Sequence, residues 1–274
     1  MLDYVSGYDG SIVQLGDGLM HVGEAVDVRS RQWSYTLGRN CIAGAMRAAR
    51  EVAADLTCIG LEQLDRARHI FDRDVQTGKV GELVYADEWR TRALVVAQSP
   101  SEVCRDLVTA ALTIVLCDGV WRRRHELYVP LPSTEPERGD LDYPYDYPCD
   151  LAKPVPSRHV DASEWGESAV GFVIYGPAAE PAIEIGGNTY QVMRDVGIGE
   201  RVEVDGISRT VELVTAGGER VNVAGDAVRG RGRGGGSYIF QPLPPGGSEI
   251  IADGSFAFDV IWYDEEGEPP WSLS

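Results

Sequence analysis

Few groups of residues in this 274-residue sequence are of types that do chemistry. The run Arg229-Gly230-Arg231-Gly232-Arg233-Gly234-Gly235-Gly236 sets guanidiniums on a flexible backbone, a pattern that pairs with phosphates or carboxylates. Residues 160–274, however, carry 19 acids against 7 bases, which favours a mobile loop between strands over a nucleic-acid segment, with a protein contact by Arg229, Arg231 and Arg233 as its use. In the segment Tyr143-Pro144-Tyr145-Asp146-Tyr147-Pro148, proline holds the chain extended, which fits two readings equally: Tyr143, Tyr145 and Tyr147 as anchors that dock on a neighbour, or an exposed linker whose tyrosines cover the domain junction. Trp165, Tyr190, Tyr238 and Trp271 are the aromatics of the C-terminal part that a sugar could stack on, although core or junction positions are the more common use of such residues.

Catalytic patterns are missing. Thr77-Gly78-Lys79-Val80 is a fragment of a phosphate-binding loop without its first glycine or its hydroxyl residue. No G-x-S-x-G elbow occurs, and His21, His69, His125 and His159 stand far apart with no neighbouring nucleophile. The acidic run Asp264-Glu265-Glu266-Gly267-Glu268 fits a solvated turn better than a metal site, because like charges so crowded repel. Cys41, Cys58, Cys104, Cys117 and Cys149 are scattered and odd in number, so they read as reduced core filler. The expectation is a non-enzyme without metal or cofactor.

Composition narrows the class further. Hydrophobic residues at 43% and charged residues at 25% are the ordinary globular mix. A net charge of −18 repels nucleic-acid backbones and anionic lipid, so neither specific nucleic-acid binding nor membrane attachment is expected. The longest apolar stretches, 109–117 and 169–175, are strand-sized, and the first residues lack a secretion signal.

Stepping along the chain, 3–4 spacing of Ile42, Ala45, Met46, Ala49, Val52, Ala53 and Leu56 predicts one helix with Asn40 as its cap. Leu61, Leu64, Ala67, Phe71 and Val75, with Gly78 after them, predict a second. Strand-like runs surround them at 4–15, 23–34, 81–85, 92–98, 107–117 and 121–129. Seven prolines between 130 and 160 exclude a sheet and mark a connector. Beyond residue 169 the period is two, broken by Gly186-Gly187, Asp205-Gly206, Gly217-Gly218, Gly246-Gly247 and Asp253-Gly254. The fold class is therefore mainly β: an α+β N-terminal domain over 1–130, a Pro/Tyr-rich connector or arm over 131–160, and an antiparallel β-sandwich over 161–274.

Ordered motifs also carry a resemblance. Glu82-Leu83-Val84-Tyr85, the Tyr-Pro segment at 143–148, Ile174-Tyr175-Gly176-Pro177, Glu180-Pro181-Ala182-Ile183, Glu200-Arg201-Val202-Glu203-Val204-Asp205, Leu243-Pro244-Pro245-Gly246, Phe256-Ala257-Phe258-Asp259 and Glu268-Pro269-Pro270-Trp271 follow one another in order and spacing. From about residue 60 onward this resembles the distal tail proteins of long-tailed bacteriophages. The resemblance implies a virion component at the tail tip, made in the host cytoplasm. It implies a homo-hexameric ring built by the N-terminal domain, which joins the tail tube protein to a hub, fibre or receptor-binding protein. It also implies an outward C-terminal sandwich of galectin-like or carbohydrate-module-like form, and Tyr143, Tyr145, Tyr147, Arg229, Arg231, Arg233 and Trp271 would then contact partners. The alternative is an adhesion module in which the sandwich holds a host cell-wall glycan.

Overall fold

A computed structural model describes residues 2–16, 18–23, 27–131 and 158–270. The chain divides into two units, Met1–Arg124 together with Glu265–Ser274, and His125–Asp264. The Tyr-Pro segment and Trp271 lie outside the described residues.

The first unit holds β1 (Leu2–Val5), β2 (Ile12–Gln14), β3 (Met20–His21), β4 (Ser34–Leu37), β5 (Ile42–Met46), β6 (Arg50–Ile59), α1 (Leu61–Thr77), β7 (Gly81–Tyr85), β8 (Trp89–Cys104), β9 (Leu107–Leu116) and β10 (Trp121–Val129), the last running on into the second unit. All pairings are antiparallel: β2 with β1, β1 with β7, β7 with β8, β8 with β9, β9 with β6 and β6 with β3, while β10 joins β8 through Arg122 and Arg123. Alternation explains the sheet. Val52, Ala54, Leu56 and Cys58 of β6 and Val108, Ala110, Leu112, Ile114 and Leu116 of β9 are buried, and the residues between them are not.

The predicted helix over 61–75 exists as α1, ended by Gly78 in the left-handed conformation that glycine adopts without strain. It buries Ala67, Ile70, Phe71 and Asp74, one stripe at 3–4 spacing. The helix predicted over 42–56 does not form; those residues make β5 and β6. Ala, Val and Leu recurring there satisfy both periods. Ten backbone pairings with β9 and the burial of alternate side chains decide for the strand. Among the described residues α1 is the single helix, and no helix is long and apolar enough to cross a membrane.

The second unit is a sandwich of two antiparallel sheets, built from β11 (His159–Ala162), β12 (Val170–Tyr175), β13 (Ala182–Ile185), β14 (Asn188–Gln191), β15 (Arg201–Asp205), β16 (Thr210–Val214), β17 (Arg220–Asn222), β18 (Gly246–Ala252) and β19 (Phe258–Glu266). One sheet runs β17-β16-β15-β12-β19 and the other β11-β18-β13-β14. Phe172, Val202, Val204 and Phe258 from the first meet Ile183, Ile185, Tyr190 and Ile250 from the second in one core. Gly186 and Gly187 take φ of 58° and 77° between paired Ile185 and Asn188, the primed two-residue turn that the dipeptide predicts. Tyr238–Gln241 is a turn, anchored by buried Ile239 and Phe240.

Candidate assembly surfaces

The Arg-Gly run is a coil tied to its own sandwich. Gly234 N–H donates to Gln241 Oε1 at 2.7 Å, and Thr189 N–H donates to Gly236 O at 2.9 Å. Beside it, Asn188 closes a two-way bridge with Tyr238: its Nδ2 donates to the Tyr238 carbonyl at 3.1 Å, and its Oδ1 accepts from the Tyr238 N–H at 3.0 Å. Gly230, Gly232, Gly234 and Gly236 all adopt positive φ, so the alternation of glycine with arginine is what the path of this coil requires. Arg233 pairs with Glu167, whereas Arg229 and Arg231 are exposed.

Among the described residues, the candidate sugar-stacking aromatics do not come together. Tyr190 is buried in the sandwich core, tilted against Phe172 at 4.8 Å, with its hydroxyl donating to the Gln241 carbonyl at 2.8 Å. Burial holds the Tyr190 phenol well above its ordinary range. Tyr238 is half-buried and edge-on to Phe240, and of the three described candidates only Trp165, 92% exposed, stands in solvent. The histidines also have bland surroundings: the His125 ring stacks on Trp262 and its Nε2 lies 2.8 Å from Asp264 Oδ2.

The outward side of β15, β16 and β17 shows what an ordinary solvent face looks like here. Arg220 bridges Glu203 at 2.9 Å and Glu212 at 2.7 Å, and Arg201 adds 2.7 Å to Glu203. Partial burial works against the charged Glu203 carboxylate, but the two guanidiniums prevail and hold its pKa below the usual value.

The ribbon β4–β5 is different, and sequence reasoning missed it. It forms a separate two-stranded sheet in which every residue from Arg31 to Met46 is exposed. Tyr35 (60%), Leu37 (72%), Ile42 (60%) and Met46 (64%) stand in solvent, although the helical reading assigned Ile42 and Met46 to a packed stripe. The available signal was Ser34-Tyr35-Thr36-Leu37 before Gly38, a short β-prone run leading into a turn.

Cysteines split in the same way. Cys58 is buried and Cys117 half-buried, while Cys41 sits at the tip of the exposed ribbon and Cys104 at the end of β8, so among the described cysteines filler fits only the first two; Cys149 lies outside the described residues. Burial pushes the Cys58 and Cys117 thiols up, which lowers their thiolate fraction as well as their access. Alkylation of the native protein followed by peptide mapping should therefore modify Cys41 and Cys104 on the order of tenfold faster or more than Cys58 and Cys117. Equal rates at all four would contradict the burial described.

No protein-family model matches the chain, and no curated protein matches it by sequence. Solved structures do match by shape. The Dit protein of phage SPP1, described as a paradigm of hub adsorption apparatus in phages that infect Gram-positive hosts, superposes with a TM-score of 0.56 at 12% identity, covering 97% of this chain and 99% of that one. A chain of the phage P2 baseplate in its activated conformation with Ca gives 0.59 at 9% identity over 95% and 98%. The Sr form of that baseplate gives 0.59 at 11% identity over the same shares. Over nearly its whole length, then, this chain has the fold of phage Dit and baseplate proteins.

Proposed function

We propose that this chain is a structural protein of the tail tip of a long-tailed phage. In this reading it works without catalysis, as a homo-hexameric ring that joins the tail tube to a hub, fibre or receptor-binding protein. The observation that carries the reading is the coverage: both units, with the order that joins them, match SPP1 Dit over 97% of this chain and 99% of that one. A shared sandwich alone would say little, since such folds host many functions. The acid excess suits a ring around a DNA channel, because an acidic lumen lets a phosphate backbone pass without sticking.

Particle images and native mass of the purified protein test this. The expected result is closed rings with a mass near six chains of 29.9 kDa, appearing at high concentration if not at low. A chain that stays monomeric or dimeric under every condition would sink the ring. One observation favours the glycan reading: Trp165 stands 92% exposed on the sandwich unit. Glycan-array binding by the full chain that disappears in Trp165→Ala would support it, and no binding at all would remove it.

A further inference from the structure

We propose that Arg229 and Arg231, together with the backbone N–H groups of Gly230 and Arg231, form a seat for the carboxylates of an acidic peptide segment of another protein. Such a seat goes beyond the ring reading and does not depend on it. The run repeats one Arg-Gly unit three times, and the last repeat shows what a unit takes. The Arg233 guanidinium holds the Glu167 carboxylate, and the Gly234 N–H donates to the Gln241 side-chain oxygen at 2.7 Å. The first two repeats hold no such group. Neither Arg229 nor Arg231 has an ionic partner among the described residues, and Asp226, three residues before Arg229, is already held by Arg194 at 2.9 Å. Two exposed guanidiniums are left uncompensated on one loop, and their planar fork matches a carboxylate.

The loop is built rather than slack. The Ile239 N–H closes its base on the Val228 carbonyl at 3.0 Å, and the Gly232 N–H closes a turn on the Arg229 carbonyl at 2.8 Å. A Cβ on Gly230 would collide with the Ser237 hydroxyl, and one on Gly235 would sit 2.9 Å from the Gly232 oxygen, so the coil has little room to relax. Positive φ at the glycines alternates with ordinary φ at the arginines, which turns successive N–H groups to one side, as in backbone anion sites. Those of Gly230 and Arg231 have no acceptor in their own chain. An arriving anion meets donors already in place, so little ordering opposes it. Carboxylate is favoured over nucleic-acid phosphate because Glu167 is what the third repeat holds. A nucleic acid would also carry its charge along a module of 19 acids and 7 bases, and the loop gives it no aromatic to stack on. A short acidic segment meets the loop alone.

The test uses the full chain and a fluorescein-labelled hexaglutamate peptide, read by anisotropy at low salt. Wild type should bind, more weakly as salt rises, and Arg229→Ser combined with Arg231→Ser should weaken binding about tenfold or more. Arg105→Ser combined with Arg209→Ser removes the same charge at two exposed arginines elsewhere and should weaken it by less than about twofold. All four positions are exposed, so unchanged melting temperatures show that the fold survives. No binding by wild type, or an equal loss in the two double variants, overturns the seat. A single-stranded oligonucleotide that binds more tightly than the peptide, through the same two arginines, overturns the carboxylate. A peptide of residues 134–147, with five acids and one base, separates the sources. If it binds at least about tenfold more tightly than hexaglutamate, this chain supplies its own segment and the assignment to another protein is overturned; equal or weaker binding supports that assignment. None of these outcomes bears on the ring, which particle images decide.

Discussion

Asp74→Ala is expected to cost the first unit about 3–5 kcal/mol, a loss in the exceptional range for one substitution. Asp74 is fully buried, and each of its carboxylate oxygens accepts two hydrogen bonds. Oδ2 takes the Tyr4 hydroxyl at 2.8 Å and the Gly7 N–H at 3.1 Å; Oδ1 takes the Ser6 hydroxyl at 2.7 Å and the Tyr8 N–H at 3.2 Å. Alanine leaves four donors without an acceptor. Each buried one costs about 1–3 kcal/mol, and those near the surface recover part of this from water. The helix itself gains nothing from this residue, since a carboxylate in the last turn opposes the helix dipole. Its role is to hold the turn after β1 onto α1.

Urea unfolding followed by the fluorescence of buried Trp89 and Trp121 would measure the loss. A shift under about 1 kcal/mol would contradict the description. Asp74→Asn, which keeps one carbonyl acceptor but turns an amino group toward donors, should fall between the two. Tyr4 supplies a check by pH. Burial, and then Asp74, raise its phenol above the ordinary 10.0. A raised folded-state pKa contributes stability that is fully present below the ordinary value and is lost as pH rises toward the raised one. Tyr4→Phe should therefore be less stable near neutrality but lose less at strongly alkaline pH.

Gly176→Ala is expected to destabilise the second unit by about 3 kcal/mol or more. A Cβ on Gly176 would overlap the Gly197 carbonyl oxygen and sit 2.8 Å from both the Gly197 carbonyl carbon and the Val196 oxygen. All three are backbone atoms, and neither side of the contact can retreat. Gly176 N–H donates to Glu200 O at 2.9 Å, and Ala178 and Val196 exchange two backbone hydrogen bonds at 3.0 and 2.8 Å. Calorimetry of the full chain should show the transition of the second unit fall while that of the first stays in place. Gly187→Ala serves as the control: a Cβ there meets nothing within 4 Å, so only its φ of 77° would be strained, at about 1 kcal/mol. Equal losses for the two variants would refute the close approach at Gly176.

The sandwich was legible because its signals are local. Val202 and Val204, Val211 and Leu213 alternate with polar neighbours, and glycine pairs mark the turns, so strand and tip follow from adjacent residues. The first unit hid more. Residues 42–56 fit a helical period as well as a strand period, and the deciding fact, pairing with β9, lies more than fifty residues away. Asp74 could not be singled out for the same reason, since its donors are 66 to 70 residues distant. Arg229, Arg231 and Arg233 lie on one loop, as expected, but that loop is folded onto its own sandwich and Arg233 is engaged there. The exposed ribbon was missed because reading apolar residues as core assumes that a chain covers its own hydrophobic surface.

The return of residues 265–270 to the first unit has a consequence for how the molecule is made. Glu265 holds Arg122 Nε at 2.8 Å, and the Pro270 carbonyl accepts from Arg29 at 3.3 Å, so these late residues close contacts with early ones. On the ribosome, domains ordinarily fold in the order of synthesis. Here the unit that begins first is finished last. The sandwich has all its strands as far as Asp264 before those closing residues exist, and it can fold while the first unit still waits.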